Sequence, residues 1–310
     1  MIKITNQRFI NYFEKNFRKL DEVYEEISFL ENFSQTKTVT KMSNKESYDI
    51  GSVVFNIEAG IHEYVDTKVF KFKDLINSII SSINIKSYAS AIVLTRALLE
   101  HFGMFALKTT ELEKHLINKN FLKLSKESAY WGISTKESEI ATNHKRTHLM
   151  DGIRYLNIYF FEIWKRYPED SNSYFEELYD EISNLTHPAS DSMLMYQNDY
   201  EEKWNSSGYK ATMFYSNEVN EHFFHDIAYV FNIVTNFLVT DLFPKYKDKV
   251  IAKFDNDRDY IVKFFSINPN YAKEILDQTI NKKKIDEKRK KLGLDDIDKV
   301  RYENFKKSNN

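Results

Sequence analysis

The sequence predicts a mainly α protein: a helical bundle with one β-hairpin or extended flap near residues 193–215 and a helical C-terminal extension. Three observations predict it. Only seven Gly and four Pro occur in 310 residues, against average usage of about 7% and about 5%, so the main helix breakers are scarce. Apolar residues make up 42% of the chain and aromatics 15%, enough to fill a sizeable core. Apolar side chains also recur at spacings of three and four over most of the length, the pattern of helices with one buried face.

The elements follow in order. Phe9, Phe13, Phe17, Leu20, Tyr24, Ile27 and Leu30 lay one apolar stripe on a first helix over about 5–33. A polar, aperiodic linker over 34–47 comes next. Residues 48–66 contain the β-prone run Ser52-Val-Val-Phe-Asn-Ile, but Val54, Ile57, Ile61 and Tyr64 also form a helical stripe, and helix is the expectation. Helices are predicted over 72–83 and 87–107, and a third from Thr110, which has Glu113 at the capping-box spacing. An amphipathic helix over about 145–167 ends before Pro168, and another opens at Ser171 or Ser173 and stops at Pro188. The runs 193–199 and 209–215 flank Trp204-Asn-Ser-Ser-Gly and read as the hairpin or flap. A long apolar helix covers about 218–242, with Asn232, Asn236 and Asp241 making it too polar for a membrane span. After Pro244, amphipathic segments over 245–266 and 270–291 form the extension. The expected division is an N-terminal helical region 1–70, a bundle 71–240 and an extension 241–310.

Composition narrows the chemistry. With no Cys, the chain has no disulfides, thiol nucleophiles, Cys-ligated zinc or iron–sulfur clusters, and it fits a reducing compartment. Arg8, Glu14, Lys15, Arg18 and Lys19 interrupt the first twenty residues, unlike a secretory signal. A soluble cytoplasmic protein that avoids membranes is expected. The net charge is −2, but residues 281–310 hold eleven Lys/Arg and six Asp/Glu, a net of +5, which leaves −7 for the rest. Lys282, Lys283, Lys284, Lys288, Arg289, Lys290 and Lys291 are either a solvated helix end or a contact for nucleic acid. The glycines are scattered, so no phosphate-cradling loop is present and any anion site must be built from side chains. No cofactor is expected. No metal is expected either: His222 and His225 are three apart, but no Glu-x-x-His or His-Glu-x-x-His set occurs.

Polar residues on two apolar helices carry the functional information. Between Tyr88 and Leu107 only Arg96 and Glu100 carry a formal charge. Burying such groups is costly unless they are paired and hydrogen-bonded. They lie four apart and share a face, with Arg first, the weaker order for a self-contained pair, so partners on another helix are expected. Tyr179, Ser183 and His187 are spaced four and four beside the stripe of Phe175, Leu178, Ile182 and Leu185. His187 falls in the last turn before Pro188, where a helix C-terminus favours its protonated form. The five polar residues read either as a buried network that fixes helix register or as a site. In a site, Arg96 would hold a phosphate or carboxylate and His187 would donate or move a proton.

Arg96-Ala-Leu-Leu-Glu-His101 has the form Arg-x-x-x-x-His and resembles the catalytic motif of HEPN-superfamily ribonucleases, helical and commonly dimeric proteins that cleave RNA without metal. The pairing of Arg96 and Glu100 with a later Tyr179, Ser183, His187 helix also resembles HEPN-like families of bacterial and phage-defence loci, over roughly residues 71–240. The resemblance implies a helical bundle with a polar pocket between the two motif helices. It also implies a homodimer.

Three functions are carried forward. One is a metal-independent endoribonuclease of the toxin or abortive-infection (antiphage defence) type, with Arg96 on the scissile phosphate and His101 or His187 moving the proton of the 2′-hydroxyl. Another is a non-enzymatic module that binds a nucleotide, a small anionic ligand or a cognate protein partner through Arg96 and His187, assisted by Glu100, Tyr179 and Ser183. The last is a structural protein that oligomerises through the 218–242 helix.

Overall fold

The computed structural model describes residues 1–33, 48–133, 149–164, 173–186, 217–279, 287 and 290–295. Of these residues 89% are helical and none lies in a strand, so the mainly α class holds. The 193–215 hairpin and most of the basic tail lie outside the described residues.

The helices are α1 (Gln7–Asn16), α2 (Leu20–Asn32), α3 (Tyr48–Asn84), α4 (Tyr88–Ile117), α5 (Phe121–Ile133), α6 (Leu149–Trp164), α7 (Tyr174–Thr186) and α8 (Asn217–Phe237). Two π-helical turns, Leu238–Leu242 and Tyr246–Ile251, flank a short α turn at Phe243–Lys245. They lead into α9 (Ala252–Ile267), and α10 (Pro269–Thr279) follows.

Several expected boundaries move, each for a physical reason. The first helix is two: Phe17 leaves helical geometry at φ −127° and ψ −114°. Arg18 there donates to Asn232 at 2.8 Å and to Glu26 at 2.9 Å, tertiary bonds that outweigh local helix continuity. Asn6 caps α1 by accepting from the Phe9 N–H at 3.1 Å. The segments expected at 48–66 and 72–83 form one helix, α3. Thr110 is not an N-cap but an interior residue of α4, since neither Gly nor Pro lies between 104 and 117 to interrupt the backbone ladder. Pro244 does not end its helix. It lacks an N–H, and the flanking π turns shift the hydrogen-bond register around it. With so little Gly, lysines take the left-handed positions after α3 and α4: Lys86 at φ 60° and Lys119 at φ 51°.

The chain forms two compact units from interleaved segments. The first takes Met1–Phe33, Lys68–Lys108 and His148–Pro244. In its core Phe243 touches Phe33, Phe72 and Phe105 with ring centroids at 4.9, 6.3 and 5.2 Å. The N-terminal helices therefore belong with the segment that carries Arg96. The second unit takes Ser34–Thr67, Thr109–Thr147 and Lys245–Asn310. There the buried Tyr246 hydroxyl donates to the Ile61 carbonyl at 2.8 Å, and Arg258 pairs with the buried Glu58. Gly60 is required in this unit, because a Cβ on it would lie 2.5 Å from the Ser128 carbonyl oxygen.

By length and composition alone, α4 and the run Phe223–Ile267 are apolar enough to cross a membrane, and 50% and 61% of their apolar windows are buried inside the protein.

Candidate functional site

The site lies in the first unit and is built on α4 and α7, with α6 as the support that joins them. Gly103 of α4 and Gly152 of α6 meet backbone to backbone: a Cβ on Gly103 would be 2.7 Å from the Gly152 carbonyl oxygen. This contact lets α6 lie close on α4. α7 then packs on α6. Phe160 stacks on Phe175 at 4.9 Å, and the Asn157 side chain accepts from the Phe175 N–H at 2.9 Å, satisfying a first-turn donor. α7 therefore presents its Tyr179 flank to Arg96.

All three nitrogens of the Arg96 guanidinium are engaged. Nε donates to Glu100 Oε1 at 3.0 Å and to the Tyr179 hydroxyl at 3.1 Å. Nη2 donates to the same hydroxyl at 2.6 Å, and Nη1 to Thr186 Oγ1 at 3.2 Å. The Tyr179 hydroxyl in turn donates to Glu100 Oε1 at 2.8 Å. The guanidinium carbon also stands 5.0 Å from the Tyr179 ring centroid, within cation–π range. Burial works against the Arg96 charge, but the bonds to Tyr179 and Glu100 outweigh it and hold the group above its ordinary pKa. Burial and donation to Glu100 raise the Tyr179 phenol, so it stays neutral.

Two features separate this cluster from a closed network. The Arg96 and Glu100 side chains remain 26% and 20% exposed, so a ligand can reach the charged groups. The Ser183 hydroxyl, one turn after Tyr179, is buried and has no hydrogen-bond partner among the described residues. An unsatisfied buried hydroxyl costs free energy and calls for a reason. A ligand oxygen beside Arg96 would supply one.

The expected site residues divide into three groups. Arg96, Glu100 and Tyr179 come together, and Ser183 lies on the same flank of α7. His101 is elsewhere: five residues on from Arg96, it lies ~140° around α4, and its Nδ1 is 3.4 Å from Lys68 Nζ. Burial, Lys68 and Lys71 push its pKa down to about 4. His187 lies outside the described residues. Thr186 was not expected. It is seven residues from Tyr179 and three from Ser183, so the same helical period that marks those residues also marks it. Lys68 was not expected either, and its partner is 33 positions away with no local signal.

His225 lies beside the buried Asp226, Nδ1 to Oδ1 3.3 Å, and the His222 side chain is outside the described residues. Among the described residues no three His, Asp or Glu side chains gather in a metal-binding group.

The chain matches no protein-family model, no curated protein and no solved structure.

Proposed function

We propose that this chain is a HEPN-like protein whose Arg96 cluster engages a phosphate of RNA, and that its reaction is metal-independent endonucleolytic cleavage of the toxin or abortive-infection type. One observation carries the reading: Arg96 of the first motif bonds Tyr179 of the second at 2.6 Å. A partly exposed, always charged guanidinium held in place by Glu100 and Tyr179 suits a phosphate whose negative charge grows during reaction. The 2′-oxygen attacks phosphorus, its proton passes to a base, and the 5′-oxygen leaves with a proton. The products are a 2′,3′-cyclic phosphate and a 5′-hydroxyl. Arg96 stabilises the charged intermediate and Ser183 donates to a phosphate oxygen. His187, next in sequence after Thr186, handles the protons. A homodimer, as the resemblance implies, would set two such clusters in one particle.

A second reading is recognition without cleavage, of a nucleotide or another phosphate-bearing ligand. It is favoured by the engagement of every Arg96 nitrogen and by the position of His101 beside Lys68 rather than Arg96.

Incubation with total RNA in excess chelator separates the two. Cleavage by the wild type that is lost in Arg96→Ala and His187→Ala supports the ribonuclease. RNA that is bound but left intact supports recognition, and cleavage undiminished in Arg96→Ala removes both readings of the cluster.

A further inference from the structure

A second cluster of basic groups lies on the other side of α4 from Arg96. Lys68 Nζ on α3 is 3.4 Å from His101 Nδ1 on α4, in a half-buried setting. Lys71, one turn along α3 from Lys68, is exposed, and its charge acts on both groups. Two basic nitrogens this close hold at most one extra proton comfortably, because both charges would repel at contact distance with part of their water removed. An anion reverses that balance. With a negative group between them, Lys68 and His101 can both be protonated and both donate.

We propose that Lys68, Lys71 and His101 form a phosphate-binding site separate from the Arg96 cluster. Lys68 Nζ donates to one phosphate oxygen and protonated His101 Nδ1 to another. Lys71 reaches the phosphate from the solvent side on its flexible stem. Phosphate, dianionic or as a diester, suits this group better than a carboxylate because it offers more acceptor oxygens for the donors that converge here. Burial and the neighbouring lysines lower the His101 pKa to about 4, and burial and Lys71 lower that of Lys68 to about 8. Phosphate binding therefore draws a proton onto His101. The site stands whether or not the Arg96 cluster acts on RNA.

The test is an NMR titration of the histidine rings in the full chain, with inorganic phosphate, a nucleoside 5′-monophosphate or a short single-stranded RNA. Sodium chloride at matched ionic strength is the reference. The expected result is a rise of about one pH unit or more in the His101 midpoint, equivalent to roughly tenfold tighter binding of the protonated form. A rise with inorganic phosphate or the mononucleotide identifies a free phosphate, and a rise with RNA alone identifies backbone phosphate. The ligand-induced rise should vanish in Lys68→Met and persist in Arg96→Ala. If Lys68→Met fails to fold by circular dichroism, Lys71→Gln must reduce the rise. The proposal is overturned if no probe moves the His101 midpoint, if the rise survives in Lys68→Met or is undiminished in Lys71→Gln, or if Arg96→Ala abolishes it.

Discussion

The Tyr179 hydroxyl joins Arg96 to Glu100: it accepts from Arg96 Nη2 at 2.6 Å and donates to Glu100 Oε1 at 2.8 Å. A single oxygen on α7 thereby fixes both Arg96 and Glu100 of α4. Phenylalanine at 179 keeps the ring and removes these bonds together with the 3.1 Å bond from Arg96 Nε. Tyr179→Phe should lower stability by about 1.5–3 kcal/mol, the range for hydrogen bonds to charged groups. Urea unfolding measures this, and a loss below a few tenths would mean that the hydroxyl is solvated rather than structural.

Ser183→Ala tests the unpartnered hydroxyl. Its removal relieves an unsatisfied buried group, so the ligand-free protein should be as stable as the wild type or slightly more so. Affinity for a phosphate ligand should fall. Thermal unfolding with and without that ligand reads both effects, and a clear destabilisation of the free protein would contradict the assignment.

The Gly103–Gly152 contact admits no side chain. Gly103→Ala would place a methyl 2.7 Å from a backbone oxygen, which cannot yield as a flexible side chain would. The expected cost is about 1–3 kcal/mol, as for other overpacked sites. Because α6 carries α7, RNA affinity should fall as well. Calorimetry and filter binding on the same preparation check the two together.

His101 gives a pH dependence with a definite sign. Its folded pKa of about 4 lies below the ordinary 6.5, so the unfolded chain binds more protons between those values. Its contribution is constant above about pH 6.5, and stability is lost as pH falls toward 4. Urea midpoints at pH 7 and pH 4.5 should differ less in His101→Gln than in the wild type.

In the second unit Arg258 neutralises the buried Glu58, whose other oxygen has no hydrogen-bond partner among the described residues and whose pKa burial raises. Arg258→Ala leaves that carboxylate uncompensated. The expected loss is about 3 kcal/mol, near the low end for broken buried pairs because Arg258 is partly exposed. Adding Glu58→Gln should restore much of it, a coupling that a double-mutant cycle measures directly.

Apolar period and breaker scarcity made the helical class legible, and α8 with it, but α3 and α4 were each expected as two helices and each runs through as one. The sequence misled where tertiary contacts decide. No Gly or Pro marks the break at Phe17, and Pro244 sits in a helical run that π turns carry past it. The cluster was legible because charged residues on an apolar helix need partners, and Tyr179 lay four residues before Ser183 at the right period. The Arg96 and His101 spacing misled in another way. Five residues place them on different sides of α4, and only the packing of α3 shows that the imidazole meets Lys68.

The most direct measurement of the Arg96 cluster is the affinity of this 310-residue chain for a short single-stranded RNA at two salt concentrations, for wild type, Arg96→Lys and Arg96→Ala. A phosphate held by the guanidinium predicts about tenfold or greater weakening in Arg96→Ala, incomplete rescue by Arg96→Lys, and a shallower salt dependence in Arg96→Ala. Equal affinity and equal salt slopes for the three proteins would contradict the account and leave the cluster a structural link between α4 and α7.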